Sequence, residues 1–403
     1  MADAERSRLP LDGKHIVLGV AGSIASYKAA DLTSKLRQVG AVVEVVMTEA
    51  ATKFIAPLTF QSLTGRAVVV DMFSSAEAEA HVEVARRADA MVIAPATANC
   101  MAELASGTTR NMVSLTALAT AAPILLAPAM DNQMWGNAAT VANVETLAGR
   151  GFTFVGPEEG RLATGRVGRG RMSEVPQIIG AVRALLSRTG DLVGRHIVVS
   201  AGGTQEPLDP VRYIGNRSSG KMGFAIAEAA RDRGALVTLV TGPVSLPAPY
   251  GVERVDVSTV AEMAEALHAA TKSCDGLLMA AAPADFAPTA VADQKIKKEA
   301  GASTMNLEMT KTEDIIASLE GGGVRIGFAA ETTDHEANAK SKLKRKRLDY
   351  IALNDVTAEG SGFGTETNQI TVFGADGSVD RMPLLSKYEV AHRLLDLVVR
   401  AYH

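Results

Sequence analysis

The chain has 403 residues, and this length favours more than one domain, since domains usually contain roughly 100–200 residues. Its 41 basic and 45 acidic residues give a net charge of −4, which argues against nucleic acid as the main partner. The N-terminus is polar, and the apolar stretch 117–130 is too interrupted to be a membrane span, which needs about 20 apolar residues. We therefore expect a cytoplasmic protein without a membrane partner. Cys100 and Cys274 are too few for a disulfide framework or a cysteine-built metal site.

In the first half of the chain, apolar strands alternate with segments of helical spacing. The predicted strands are His15–Val20, Val42–Met47, Ala90–Ala94, Ile124–Ala127 and Phe152–Val155. Such alternation predicts a parallel sheet covered by helices on both faces. Ligands of such sheets bind at the carboxyl ends of the strands.

The turns that follow these strands are small and polar. They read GSIAS, MTEAA, APATAN and APAMDNQMW, and a helix follows the first of them, with N-terminal amides that suit an anion. One Gly-Ser turn is weak evidence, because such turns often carry these residues for geometry only. Four such turns at consecutive strand ends favour a site for a flat aromatic ligand and its phosphate.

A second Gly-rich turn follows an apolar strand in mid-chain. The strand His196–Ser200 leads into Gly202-Gly203-Thr204, and a long proline-containing loop precedes a helix that starts near Gly220. Ser218-Ser219-Gly220-Lys221 resembles part of a phosphate-binding loop, but the full Walker spacing is absent, and so is the GxGxxG of a dinucleotide site. We predict a second α/β domain after the polar break Arg188–Gly194. The predicted domains are residues 1–190 and 191–403.

The last part of the chain contains a basic helix and a hairpin. A strand is predicted at Arg325–Ala329, followed by a helix on which Lys342 and Lys346 share one face and can reach a triphosphate. Its other basic residues are expected to face solvent. Residues 370–373 and 379–382 flank Ala375-Asp376-Gly377, which predicts a hairpin, and an amphipathic helix is expected over 384–399.

Several of these segments resemble known families. GSIASYKA, HVEVA, APATAN and PAMDNQMW resemble the flavin-dependent cysteine decarboxylases, whereas SAGGTQEPLDPVRYIGNRSSGKMG, AAAPADF, KIKK and GFAAET resemble the phosphopantothenate–cysteine ligase domain. The order of the halves is similar to that of the bacterial bifunctional coenzyme A biosynthesis family, from Lys14 to the C-terminus. The resemblance implies a flavodoxin-like doubly wound parallel sheet fused to a Rossmann-like α/β ligase domain.

The resemblance implies two consecutive reactions. The first is CTP-dependent ligation of 4′-phosphopantothenate with L-cysteine through an acyl-cytidylate. The second is FMN-dependent oxidative decarboxylation of the product to 4′-phosphopantetheine. Mg²⁺ is expected with the triphosphate, held mostly by phosphate and water, so no protein ligand is assigned. The family also implies a homo-oligomer of decarboxylase trimers joined by ligase dimers.

For the decarboxylase, the resemblance identifies His81 as the catalytic histidine, which accepts a proton or holds the substrate. Asp131 stands where the family usually has an asparagine that grips the substrate carboxylate, and Thr164 stands where its flap carries a cysteine proton donor. These departures leave open an active ligase whose N-terminal half binds flavin without catalysis. An ordinary dinucleotide oxidoreductase is a third hypothesis. The residues expected at FMN are Gly22, Ser23, Ile24, Thr48, Ala96, Thr97 and Asn99.

For the ligase, Lys295 of KIKK matches the family lysine that stabilises charge at the α-phosphate. By pattern alone, KIKK is a solvated charge run. Asn216 matches the asparagine associated with the acyl intermediate, and Asp285 matches the residue that recognises the nucleotide. Phe328 packs on the base or sugar by resemblance, although by pattern alone it is a core residue. The set expected at CTP is Ala280, Ala281, Asp285, Lys295, Asp314, Ile315, Phe328, Lys342 and Lys346.

Overall fold

The computed structural model describes residues 9–72, 80–162, 165–297, 304–321, 323–331, 335–355, 362 and 364–402. Contacts divide the chain into two compact units, the first spanning Arg8–Arg188 and the second beginning at Thr189. Within the described ranges, no helix is both long enough and apolar enough to cross a membrane.

The first unit alternates strands and helices as expected. Its strands are β1 (His15–Val20), β2 (Val42–Met47), β3 (Ala90–Ala96), β4 (Ile124–Pro128), β5 (Thr153–Phe154), β6 (Glu158–Arg161) and β7 (Val167–Arg171). Its helices are α1 (Ser26–Gln38), α2 (Glu49–Thr52), α3 (Pro57–Thr64), α4 (Ala80–Arg87), α5 (Ala98–Ser106), α6 (Met112–Ala119), α7 (Asn132–Trp135), α8 (Ala138–Gly149) and α9 (Val175–Leu186), and a 3₁₀ turn follows at Ser187–Thr189.

The five-stranded sheet of this unit has the order β2-β1-β3-β4-β5, with all neighbours parallel. This is the flavodoxin-like strand order, in which the connection reverses direction between β1 and β3. Strand β3 is buried along its whole length, because a parallel sheet covered on both faces has no polar side. The predicted flavodoxin-like fold is confirmed. Strand β3 runs two residues beyond the predicted end, and β5 is shorter than predicted.

The second unit is also α/β. Its strands are β8 (His196–Ala201), β9 (Gln205–Pro207), β10 (Tyr213–Gly215), β11 (Leu236–Thr241), β12 (Glu253–Asp256), β13 (Gly276–Met279), β14 (Phe286–Pro288), β15 (Met309–Lys311), β16 (Val324–Glu331), β17 (Tyr350–Asp355), β18 (Thr367–Asn368), β19 (Ile370–Gly374), β20 (Val379–Arg381) and β21 (Leu385–Ser386). Its helices are α10 (Lys221–Asp232), α11 (Val260–Ala270), α12 (Ile315–Ser318), α13 (His335–Arg345) and α14 (Lys387–Arg400), with a 3₁₀ turn at Thr271–Ser273.

The main sheet of the second unit has the order β12-β11-β8-β13-β16-β17-β19-β20. Its first six strands are parallel and follow the Rossmann order, which reverses between β8 and β13. Strands β19 and β20 form an antiparallel hairpin at the edge, as the sequence predicts. One buried cluster includes residues of α10 and α14, and another includes residues of α11, α12 and α13. The predicted Rossmann-like fold is confirmed.

The structure differs from three predictions made from the sequence. The long loop after Gly203 contains an antiparallel hairpin, β9–β10. Helix α13 ends at Arg345, so Lys346 follows the helix, although its N–H still donates to Lys342 O over 2.9 Å. The last helix begins at Lys387 rather than at Leu384, because Ser386 caps it: the Ser386 hydroxyl accepts from Glu389 N at 3.2 Å, and the Glu389 carboxylate accepts from Ser386 N at 3.0 Å.

Candidate functional site

Four adjacent strands of the first unit end at one edge of its sheet. The turns after β2, β1, β3 and β4 therefore place Thr48, Gly22 to Ile24, Ala96 to Asn99, and Asp131 along that edge. Helices α1 and α5 begin there, and neither has an acidic residue in its first turn. The partial positive charge of two helix starts favours an anion at this edge.

The turn after β1 is held by its own hydroxyl groups. Ser26 Oγ lies 2.6 Å from Ser23 O and 3.1 Å from Ala21 O, and Ser23 Oγ accepts from Ala25 N at 3.2 Å. A Cβ at Gly22 would lie 2.7 Å from the Cβ of Ala50, so this glycine lets the turn pack against α2. Internal hydrogen bonds and packing against α2 therefore hold this turn in its conformation.

The other polar residues of this edge also have structural partners. Thr48 Oγ1 accepts from Ala51 N at 3.1 Å and Thr97 Oγ1 accepts from Cys100 N at 3.2 Å, so these threonines cap α2 and α5. Asn99 donates its side-chain N–H to Glu103 over 3.0 Å. These bonds fix the helix starts at which the sequence predicts FMN.

A cavity of about 610 Å³ lies between the start of α1, the segment after β4 and the hairpin β6–β7. Among the predicted residues, Ser23, Ile24 and Asp131 line this cavity. The others, Gly22, Thr48, His81, Ala96, Thr97 and Asn99, are not part of its wall.

Lys28, for which the sequence predicts no role, also lines this cavity. Its ammonium group donates to Met172 O at 3.2 Å and to Glu174 Oε1 at 3.0 Å, so it joins α1 to the segment that follows β7. The lysine of GSIASYKA was the available signal for this role, since it stands in the first turn of the helix.

The glycines of the β6–β7 hairpin explain its contact with the segment after β4. A Cβ at Gly170 would overlap Met130 O, and a Cβ at Gly168 would lie 2.9 Å from Asn132 Cβ. Met130 N donates to Gly170 O over 3.0 Å. Alternating glycines therefore let the hairpin lie flat against this segment. The expected flap residue Thr164 lies outside the described residues.

Asp131 caps the short helix α7, and its Oδ1 accepts from Gln133 N at 3.0 Å. One oxygen of its carboxylate is thus directed to the helix start. The side-chain oxygen of the next residue, Asn132, is buried and has no hydrogen-bond partner among the described residues. His81 is half-buried near the start of α4.

In the second unit, two cavities of about 440 Å³ and about 290 Å³ share part of their walls. Both are lined by residues of the turn after β13 and by Phe328 of β16, beside the point where the strand order reverses. The shared wall consists of Ala281, Asp285, Phe328 and Lys342. Asp314, Ile315 and Lys346 line only the larger cavity, whereas Ala280 and Asn216 line only the smaller one.

The structure thus brings together most of the residues expected at CTP. Arg345, which was expected to face solvent, is exposed but also lines the larger cavity. Lys295 is exposed and lines neither cavity.

Hydrogen bonds hold the turn after β13 against the turn after β8. Ser200 Oγ accepts from Ala281 N at 3.1 Å, and Thr204 Oγ1 accepts from Ala284 N at 2.9 Å. Asn216 donates its side-chain N–H to Pro283 O over 2.8 Å. Pro283 has no backbone N–H to donate. Its carbonyl oxygen nevertheless holds the side chain of Asn216, the residue that the resemblance assigns to the acyl intermediate.

The smaller cavity is rich in cations. Lys221, Lys342 and Lys387 line it, Asp285 is the acidic residue in its described wall, and Glu366 forms an ion pair with Lys221. This excess of positive charge favours a polyanionic ligand. In the larger cavity, Lys346 forms an ion pair with Asp314 at 2.9 Å.

Lys387 is a cavity residue for which the sequence predicts no role. Its buried ammonium group donates to Thr365 O at 2.7 Å and lies 3.1 Å from Thr367 O. Burial lowers the pKa of Lys387 below its usual 10.5, and the charge of Lys221 lowers it further, whereas Glu366 opposes the shift. No local sequence pattern marks Lys387 as a cavity residue, because the groups that contact its ammonium group belong to another segment of the chain.

The segment that carries Lys295 is fixed through its neighbour Ile296. Asp209 Oδ2 accepts from Ile296 N at 3.1 Å, and Arg212 Nη2 donates to Ile296 O at 2.9 Å. Lys298, the last residue of KIKK, lies outside the described residues. Within the described ranges, no group of three or more His, Cys, Asp or Glu side chains is arranged to hold a metal ion.

Comparison with known proteins assigns a family to each of the two units. Residues 4–187 match the family described as Flavoprotein, and residues 192–402 match the DNA/pantothenate metabolism flavoprotein C-terminal domain. Fold and sites thus define a flavoprotein domain fused to this C-terminal domain.

Full-length relatives give the family. The coenzyme A biosynthesis bifunctional protein CoaBC of Vibrio cholerae is 46% identical over 395 residues, which cover 96% of this chain and 98% of that protein. Its counterpart of the same name in Escherichia coli is 44% identical and covers 98% of each chain. A crystal structure of the C-terminal domain of a protein with this name is 36% identical, covers 53% of this chain and 98% of the solved chain, and has a TM-score of 0.45. The chain belongs to the family of bifunctional coenzyme A biosynthesis proteins, as the sequence resemblance implies.

Proposed function

We propose that the second unit joins 4′-phosphopantothenate to L-cysteine with CTP as the energy source. The observation that carries this proposal is the pair of adjoining cavities with a shared wall, each lined by three lysines, with Asn216 at the smaller cavity and Asp314 and Ile315 at the larger one. A nucleotide that spans them would place its base in the larger cavity and its phosphates in the smaller one. The relatives' role in coenzyme A biosynthesis supports the choice of substrates.

The proposed reaction has two steps. The carboxylate of 4′-phosphopantothenate attacks the α-phosphorus of CTP and displaces pyrophosphate, which gives an acyl-cytidylate. The amine of cysteine then attacks the acyl carbon and displaces CMP. Lys221 and Lys342 would offset charge on the phosphates, and Asn216 would hold the acyl intermediate. Lys295, which lines neither cavity, would extend to the bound nucleotide and stabilise charge at the α-phosphorus, as the sequence resemblance implies. Mg²⁺ would bind mainly through phosphate and water.

We further propose that the first unit binds FMN and decarboxylates the ligation product to 4′-phosphopantetheine. Its residues fit a flavin phosphate, because α1 and α5 begin at the carboxyl edge of the sheet without acidic residues in their first turns. Ile24 and Tyr27 are exposed beside that edge, where they can pack against an apolar ring. When bound, the flavin would supply a reversible two-electron oxidation, which makes loss of carbon dioxide possible and returns the electrons to give the thiol product, so no external oxidant is needed.

The chain's own residues have two tasks in this reaction. His81 would accept a proton from the thiol side of the substrate or hold it in place. The Asp131 carboxylate would lie near the substrate carboxylate. One of its oxygens accepts the Gln133 N–H, and the partial positive charge of the helix start offsets part of its negative charge. For the assembly, we propose a homo-oligomer of decarboxylase trimers joined by ligase dimers.

The test is to incubate the purified protein with 4′-phosphopantothenate, L-cysteine, CTP and Mg²⁺, and to identify the products by mass spectrometry. We expect 4′-phosphopantetheine, CMP and pyrophosphate, and equal turnover with ATP would contradict the nucleotide assignment. Synthetic phosphopantothenoylcysteine is then supplied alone. If it is not consumed while ligation proceeds, the first unit is a flavin-binding module without catalysis. A protein that releases no FMN on denaturation would contradict the flavin assignment.

A further inference from the structure

Asp209 is a buried carboxylate at which five hydrogen bonds converge. Its Oδ1 accepts from Val211 N at 2.8 Å and from Arg212 N at 2.9 Å. Its Oδ2 accepts from Arg212 Nε at 3.0 Å, from Arg212 Nη2 at 2.5 Å and from Ile296 N at 3.1 Å. The Arg212 guanidinium holds the pKa of this carboxyl well below its usual value, so the carboxylate stays ionised.

The same pair holds both backbone groups of Ile296. The Ile296 N–H donates to Asp209, and its carbonyl accepts from Arg212 Nη2 at 2.9 Å. Nearby, Ala292 N donates to Leu208 O over 3.0 Å. The turn between β9 and β10, which carries Asp209 and Arg212, therefore holds a segment 84 residues away in sequence from Arg212.

Residues 291–297 belong to no helix or strand, and Lys295 and Lys297 are exposed. A segment without regular structure depends on a few specific bonds for its position. Lys295 precedes Ile296 directly, so the Asp209–Arg212 pair determines where its backbone lies. Displacing a reacting group by about 1 Å can reduce a rate by roughly 10²-fold.

We propose that Asp209 is a positioning residue for the ligation reaction. Together with Arg212 it holds Ile296, so that the adjacent Lys295 reaches the α-phosphorus where charge develops. This inference rests on the proposed ligation and on the assignment of Lys295. Asp209 would touch neither substrate nor nucleotide. It would act through the backbone next to the catalytic Lys295.

A double-mutant cycle tests the inference in the full-length protein. Ligation turnover at saturating CTP, 4′-phosphopantothenate and L-cysteine is measured for the wild type, Asp209→Asn, Lys295→Gln and the double variant. We expect Asp209→Asn alone to lower kcat roughly 10- to 100-fold, with a smaller change in KM for CTP. In the Lys295→Gln background, Asp209→Asn should lower kcat by less than about 3-fold, because no lysine remains to be positioned.

Two controls accompany the cycle. Asp256→Asn breaks another Asp–Arg pair of the same unit, the Arg254–Asp256 pair at 2.7 Å, whose aspartate is exposed, and should leave turnover unchanged. A CTP-induced rise in the thermal transition of Asp209→Asn shows that its second unit is folded. If that variant does not fold, Arg212→Lys replaces it, since lysine keeps the charge but cannot bridge Asp209 and Ile296 O together.

The outcomes are distinct. An equal loss of turnover in both backgrounds would mean that Asp209 acts independently of Lys295, and unchanged turnover in Asp209→Asn would remove its positioning role. A wild-type protein that forms no phosphopantothenoylcysteine would instead overturn the proposed function. Full turnover of Lys295→Gln would remove the assignment of that lysine.

Discussion

Asp89 and Asp275 make the same contact in the two units. Asp89 Oδ2 accepts from His15 N at 2.8 Å, and Asp275 Oδ2 accepts from His196 N at 2.7 Å. Each aspartate directly precedes the central strand next to the point where the strand order reverses, β3 in one unit and β13 in the other. Each also pairs with the cation before the histidine, Lys14 at 3.1 Å or Arg195 at 2.9 Å. The two strands whose carboxyl ends frame each site are thereby joined at their amino ends.

Asp275→Asn should destabilise the second unit by about 1–3 kcal/mol, because a hydrogen bond to a charged group is lost. Burial by itself would raise the pKa of Asp275, but the His196 N–H and Arg195 lower it more, and the net pKa lies below the usual 3.8. The stabilisation should therefore be complete above that value and disappear as the pH falls through the lower pKa of the folded state.

The measurement is urea unfolding of the wild type and of Asp275→Asn at pH values of about 7 and about 3. The difference in unfolding free energy should shrink at the lower pH. Asp380→Asn at an exposed position serves as the control and should be neutral at both pH values. A difference that stays constant with pH would contradict the ionic origin of the stabilisation.

Much of the fold could be predicted, because its central strands are continuous apolar runs. Strands β1 and β2 have the predicted bounds, and β8 extends one residue beyond its prediction. The hairpins β6–β7 and β9–β10 could not be predicted, since EEGR and VGRGR carry no apolar alternation. Their pairing depends on tertiary contacts, such as the fit of Gly170 against Met130.

The resemblance indicates most of the predicted residues that line the two cavities of the second unit. Ala280 and Ala281 come directly after β13 and Asp285 follows in the same turn, and parallel sheets place such turns at one edge. Lys387 could not be predicted, because it lies at the start of the last helix and reaches the cavity only through the tertiary fold.

Gly170→Ala should impair decarboxylation by at least about 10-fold and leave ligation unchanged. Its Cβ would overlap Met130 O, which forces the β6–β7 hairpin away from the segment that contains Asp131. Gly160→Ala is the matched control within the same hairpin, since its Cβ would meet nothing closer than 3.5 Å. Both variants are assayed with synthetic phosphopantothenoylcysteine and with the ligation substrates. Equal activities of the two variants would show that the hairpin contact is irrelevant to decarboxylation.

His81→Asn should abolish decarboxylation while ligation and the yellow colour persist. General acid–base catalysis contributes about 10²–10⁴-fold, and His81 lies in α4 of the first unit, in a compact unit separate from the ligase cavities. Glu83→Gln, an exposed change on the same helix, should retain both activities. Product formation is followed by mass spectrometry. Loss of ligation in His81→Asn would show that the units are not independent, and retained decarboxylation would remove the histidine from the reaction.

Lys387→Met should weaken CTP binding, raising KM for CTP roughly 10-fold, because the smaller cavity loses one of its three lysines and the segment 365–368 loses its anchor.

Burial lowers the pKa of Lys387, so the folded state binds this proton less tightly than the unfolded chain does. Its contribution to stability should therefore rise as the pH rises from the lowered pKa towards the usual 10.5. The methionine variant should lack this rise in urea unfolding at alkaline pH, while Lys387→Arg should keep the affinity for CTP and Lys344→Met, at an exposed position, should behave as the wild type. The assignment would be wrong if Lys387→Met bound CTP as tightly as the wild type, since the buried ammonium group would then contribute neither charge nor position to the nucleotide cavity.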